Sequence, residues 1–107
     1  MKNKIKKPCD VAVIGGGPGG VPAAVAAARN GAKVILAERN GFLGGTATSG
    51  LGFLSYLDRR GNPVLGGIPA EIMERLEALH GTLGHNRCPV HNSITPVNPE
   101  MVKLALL

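Results

Sequence analysis

The chain has 107 residues, 44% of them apolar and 18% charged. That length bounds it to one domain at most, and the ordinary balance of residue types excludes a fibrous repeat or a wholly disordered chain. Glycine is over-used, with 16 residues beside eight prolines, while Phe42, Phe53 and Tyr56 are the only aromatics. So few large side chains build a small core, and the glycines point to backbone held close to a ligand, or to a piece of a larger protein.

The formal charge is +5, but Lys2, Lys4, Lys6 and Lys7 crowd the first seven residues. Without them basic and acidic side chains nearly balance. The charge therefore describes a basic leader, expected to be disordered over residues 1–8, and not a basic face. A nucleic-acid surface needs a basic stripe with stacking aromatics, and none is present. The apolar run that directly follows the leader, Val11 to Ile14, is far short of the ~7–15 residues of a secretory signal or the ~20 of a membrane span. Cys9 and Cys88 form no disulfide framework. A cytoplasmic protein with neither nucleic-acid nor membrane partner is expected.

Val11–Ile14 reads as a strand buried on both faces, as in a parallel sheet. GGGPGG follows over residues 15–20. Val21, Ala24, Val25 and Ala28 then recur at helical spacing, with Gly31 placed as a left-handed cap. Residues 34–37 are a second buried strand, ending at Glu38. The three elements make one right-handed βαβ unit of ~30 residues.

Residues 41–67 read as a glycine-rich loop with a hairpin from Tyr56 to Leu65 around Arg59-Arg60-Gly61-Asn62. A helix opens at Pro69, with Ile68, Ile72, Met73, Leu76 and Leu79 as its apolar stripe and Gly81 as its stop. Residues 82–97 look irregular. Asn98-Pro99-Glu100 starts a last helix, whose Met101, Val102, Leu104 and Leu107 are expected to lie open, as in a domain truncated in its last helix.

Gly15, Gly17 and Gly20 match G-x-G-x-x-G in the context that gives the motif meaning: strand before, helix after, and an acid ending the next strand. Gly15 permits the tight turn, Gly17 lets a pyrophosphate approach the backbone, and Gly20 lets the helix pack against the strand. Pro18 and Gly19 lie in the same first turn, where free N–H groups and a partial charge of ~0.5 face the phosphates. Glu38 is placed to accept hydrogen bonds from the adenosine ribose and would repel a 2′-phosphate.

DVAVIGGGPGGVPAAVAAARNGAKVILAERNGFLGG, residues 10–45, resembles the N-terminus of the two-dinucleotide-binding flavoproteins around glutathione reductase and fumarate reductase. GGIPAEIMERL and NPEMVKLALL further resemble one group of FAD-dependent oxidoreductases. The resemblance implies an α/β fold, an incomplete Rossmann-like FAD-binding domain over residues 9–107: a βαβ unit with parallel strands, then a hairpin and two helices. It implies FAD as cofactor, its ADP half held by Gly15, Gly17, Gly20, Glu38, Gly44 and Gly45. Arg39 would lie near the adenine, and Thr46 near the flavin-side phosphate or ribitol.

In the disulfide-reductase branch the paired glycine and a Thr lead into Cys-x4-Cys. Ala47 and Gly52 occupy those places here, so dithiol chemistry is excluded there and electron or hydride transfer through the flavin remains. No catalytic residue singles itself out. The Cys88–His91 spacing makes no defensible metal motif, so no metal site is expected, and Arg59-Arg60 reads as a solvated turn. Three functions stay open. The first is the FAD-binding part of a flavin-dependent oxidoreductase, inactive without the rest of the enzyme and acting on an unidentified small molecule. The second is an NAD-binding module. The third is a non-catalytic fragment that associates, with itself or the enzyme's remainder, through its open helix face.

Overall fold

A computed structural model describes residues 8–107; the expected leader lies almost wholly outside them. The chain opens as expected: β1 (Val11–Ile14), α1 (Gly20–Arg29) and β2 (Val34–Ala37) form a βαβ unit. β1 and β2 pair in parallel from Val11 opposite Val34 to Ile14 opposite Ala37. Gly31 adopts φ +90° after α1 and ends it as a left-handed cap. The strands are not buried on both faces. Val11 is 36% and Ile14 82% exposed, because α1 covers one face of a two-stranded sheet and, among the described residues, no further layer lies on the other.

After β2 the chain passes through a 3-10 turn (Gly45–Thr48) to the short strand β3 (Phe53–Leu54) and the helix α2 (Gly67–Ala78). The expected Tyr56–Leu65 hairpin forms around one bridge, Leu57 opposite Pro63, with backbone bonds on either side of it from Asp58 N–H to Asn62 O (2.8 Å) and from Val64 N–H to Tyr56 O (2.9 Å). The turn is closed by the Asp58 carboxylate, which accepts from the N–H groups of Arg60 (2.8 Å) and Asn62 (2.9 Å). α2 begins two residues before Pro69, which still sits in the first turn, where no helical donor is lost. Its left-handed terminal residue is His80 (φ 53°), not Gly81. Gly81 serves packing instead: a Cβ there would lie 2.5 Å from Met101 Cβ.

Residues 82–97 are not irregular. β4 (Asn86–Cys88) and β5 (Asn92–Thr95) form a hairpin, and β5 also pairs with β3, giving an antiparallel sheet ordered β3-β5-β4. The buried residues of β5 are polar, Ser93 and Thr95, while Ile94 faces out, so an apolar alternation could not reveal the strand. Both hydroxyls are engaged: Leu57 N–H donates to Ser93 Oγ (2.9 Å), and Thr95 Oγ1 meets His85 Nδ1 at 2.7 Å.

α3 (Pro99–Ala105) starts as expected, the Asn98 side chain accepting from the N–H of Glu100 (2.9 Å) and of Met101 (3.4 Å). Its apolar face is less open than expected. Val102 and Ala105 are buried against Tyr56, Met73 and Leu76, and only Leu104 (49%) and Leu107 (87%) are exposed. This core lies beneath the 3-10 turn and so supports the loop that returns to the glycine motif.

Candidate functional site

The glycine run joins β1 to α1 through a turn that side chains would obstruct. Gly15 adopts φ +103°, and its N–H donates to Ala37 O (2.8 Å), tying the turn to the end of β2. A Cβ on Gly20 would lie 1.8 Å from Gly15 O, so α1 can start only where a glycine stands. A Cβ on Gly17 would meet nothing within 4 Å: the backbone there faces open space. Among the described residues the N–H groups of Gly17, Gly19 and Gly20 have no protein acceptor, and they stand at the start of α1. Unfilled donors at the positive end of a helix attract an anion.

The second glycine pair closes on the first. Gly44 N–H donates to Gly16 O (2.7 Å), and a Cβ on Gly45 would come 3.0 Å from Gly17 Cα. Gly44 (φ +117°) and Gly45 (φ +51°) both take left-handed backbone, which lets the loop double back onto the motif.

Between these pieces lies an open cleft of about 420 Å³. Gly15, Gly17, Pro18, Glu38, Arg39, Gly45 and Thr46 line it, with Ile14, Ala37 and Asn40. Three expected site residues stand behind its surface. Gly19 and Gly20 shape the start of α1, and Gly44 faces an apolar pocket of about 160 Å³ across the Gly17-Pro18 backbone.

Glu38 is anchored within this arrangement. Its Oε1 accepts from Asn40 N–H (2.9 Å) and its Oε2 from Gly16 N–H (2.6 Å). These two donors, Asn40 first and then Gly16, hold the carboxyl below its ordinary pKa, so it is ionised at neutral pH. A carboxylate offers roughly four acceptor positions, and two are in use, so it can still accept from the hydroxyls of a sugar.

Gly16 and Asn40 are positions that orient Glu38 and that the motif alone does not mark. Gly16 joins Glu38 to Gly44 through its N–H and its carbonyl, and a Cβ there would strike Leu43 Cδ2 at 2.5 Å and Glu38 Oε2 at 3.2 Å. The signal available in the sequence was the middle glycine of Gly15-Gly16-Gly17, at a position where the pattern tolerates any residue.

The two places where a dithiol would stand are also clear. Ala47 lies in the 3-10 turn and lines the apolar pocket. Gly52 is pressed against β5, where a Cβ would meet Ile94 Cγ1 at 2.8 Å. Cys9 and Cys88 are free thiols. No helix among the described residues is long and apolar enough to cross a membrane.

A family model described as FAD dependent oxidoreductase matches residues 10–107, nearly the whole chain. The chain is also similar to dihydrolipoyl dehydrogenase of Trypanosoma brucei brucei, 55% identical over 42 residues, which is 39% of this chain and 9% of that protein. It is 53% identical over 45 residues to glutathione reductase of Schizosaccharomyces pombe, 42% of this chain and 10% of the relative. Leghemoglobin reductase of Glycine max is 60% identical over 37 residues, 35% of this chain and 7% of the relative. These stretches span at most a tenth of the curated relatives' length. No solved structure matches significantly. By the family match, the chain belongs to the FAD-dependent oxidoreductases and carries an FAD-binding segment.

Proposed function

We propose that this segment holds the ADP half of FAD in an oxidoreductase that moves electrons or hydride through the flavin without a protein dithiol. The observation that carries the reading is the open space over Gly17, flanked by the unfilled N–H groups of α1 and by Gly45. Backbone without side chains, facing a cleft, fits a diphosphate. An ionised carboxylate at the cleft's far wall fits a ribose diol and disfavours a 2′-phosphate.

In this reading Gly17, Pro18, Gly19 and Gly20 form the diphosphate seat, and Gly45 and Thr46 approach from the opposite side. Glu38, positioned by Gly16 and Asn40, accepts from the ribose, and Arg39 borders the adenine end. When bound, the flavin would supply the hydride or electron transfer. The chain's own contribution is to bind and orient the cofactor. The absence of thiols at Ala47 and Gly52 sets this chain apart from the disulfide-reductase pattern, so a substrate other than a disulfide is proposed for the whole enzyme.

The test is flavin content. The enzyme carrying this segment is expected to purify yellow and to release FAD on denaturation, and Gly17→Val should abolish the colour. A colourless protein that takes up NAD instead would overturn the reading.

A further inference from the structure

A separate open cavity of about 700 Å³ lies against the Asp58 turn and the β4–β5 hairpin, lined by Arg59, Arg87, Cys88, Pro89 and Asn92. The fold brings Arg59 and Arg87 to one cavity wall from distant parts of the chain. Arg87 Nη2 donates to the carbonyl oxygen of Arg59. The Arg87 stem also runs alongside Gly61, where a Cβ would lie 3.7 Å from its Cδ. Arg87 is therefore tethered at the cavity wall instead of sweeping through solvent.

The charge at this wall is unbalanced. Among the described residues neither arginine forms a salt bridge; the pairs present are Arg29–Glu71 and Lys103–Glu100. Asp58, the adjacent acid, is engaged by its own turn: Oδ1 accepts from Arg60 and Asn62 N–H, and Oδ2 from Asn62 Nδ2 (3.1 Å). Cys88, Pro89 and Asn92 add no negative charge. Two arginines lining one cavity, with no carboxylate among the residues that line it, offer forked donors to a planar or tetrahedral oxyanion.

We propose that this cavity binds a small oxyanion, the carboxylate or phosphate group of a small molecule, between Arg59 and Arg87. The site is independent of the flavin reading, since it shares no residue with the cleft. Arg60, next along the turn, does not line it and provides the control.

The experiment titrates the full chain at low ionic strength with sodium succinate and, separately, with inorganic phosphate. The readout is alkylation of Cys88 by iodoacetamide, followed at the peptide level by mass spectrometry with Cys9 as internal reference. Saturable slowing at Cys88 and none at Cys9 is expected. Arg87→Gln and Arg59→Gln should each raise the midpoint about tenfold, and Arg60→Gln should leave it in place. The Arg59 side chain makes no hydrogen bond among the described residues, so Arg59→Gln tests the site even if Arg87→Gln loosens the turn. Protection by phosphate alone assigns a phosphoryl ligand, and protection by succinate alone a carboxylate. No protection by either, or an equal loss in Arg60→Gln, would overturn the proposal.

Discussion

Two alanine substitutions in one motif should separate folding from binding. Alanine normally stabilises a helical glycine position by ~0.5–1 kcal/mol. At Gly20 the added methyl would sit 1.8 Å from Gly15 O and 2.9 Å from Gly15 C. The obstacle is backbone that also bonds to β2, so α1 must retreat by about an ångström or more and lose contact with Val13. Overpacking of this kind costs ~1–3 kcal/mol, more than the helical gain. Gly20→Ala should therefore destabilise the chain by ~2 kcal/mol, a fall of roughly 10 °C in Tm for a domain of this size. At Gly17 the methyl meets nothing within 4 Å, so Gly17→Ala should leave Tm nearly unchanged. It would instead occupy the space assigned to the diphosphate and weaken FAD binding tenfold or more, about 1.4 kcal/mol. Circular dichroism melts and titration of FAD fluorescence read the two effects. Gly17→Ala with undiminished FAD affinity, or Gly20→Ala with an unchanged Tm, would contradict this division of roles between the two glycines.

Three further outcomes follow from the packing and charges. Leu76→Ala, at a fully buried position, should cost ~2–5 kcal/mol in chemical denaturation, whereas Leu104→Ala, half-exposed on α3, should cost well under 1 kcal/mol. Asn98→Ala should remove the cap of α3 and cost ~1 kcal/mol in the same assay, with Asn98→Asp largely restoring it. Glu38, Asp58 and Glu71 are held below their ordinary pKa, chiefly by Asn40 N–H, Asn62 N–H and Arg29 respectively. Their folded values lie below the unfolded ones, so their stabilisation is present above about pH 4–5 and is lost as the pH falls through the folded values. A melt series from pH 7 to pH 3 should be flat at first and then decline; rising stability below pH 4 would contradict the assignment.

The parts of the fold legible in the sequence are those where local chemistry and tertiary demand agree. The βαβ unit announced itself through two apolar runs, a glycine turn and an alanine-rich helix. The Asn98-Pro99-Glu100 start of α3 was equally plain, since cap, proline and acid each act on their own neighbours. The antiparallel sheet was hidden because β5 buries Ser93 and Thr95 and exposes Ile94, the reverse of the pattern that identifies strands. The exposure of Ile14 was hidden for a different reason: an apolar run records what a strand could bury, not which layers are present to cover it. At the site, the motif pointed to the residues that clear space for a ligand. It did not point to Gly16 and Asn40, which place Glu38 through backbone N–H groups that any residue possesses.

The most direct measurement is amide chemical-shift mapping of the labelled chain with ADP, using adenosine as the comparison. A diphosphate seated on side-chain-free backbone should move the amides of Gly17, Gly19, Gly20 and Gly45 with ADP and leave them unmoved with adenosine. Identical maps for the two ligands, or ADP shifts confined to other regions, would contradict the assignment of this cleft to the cofactor.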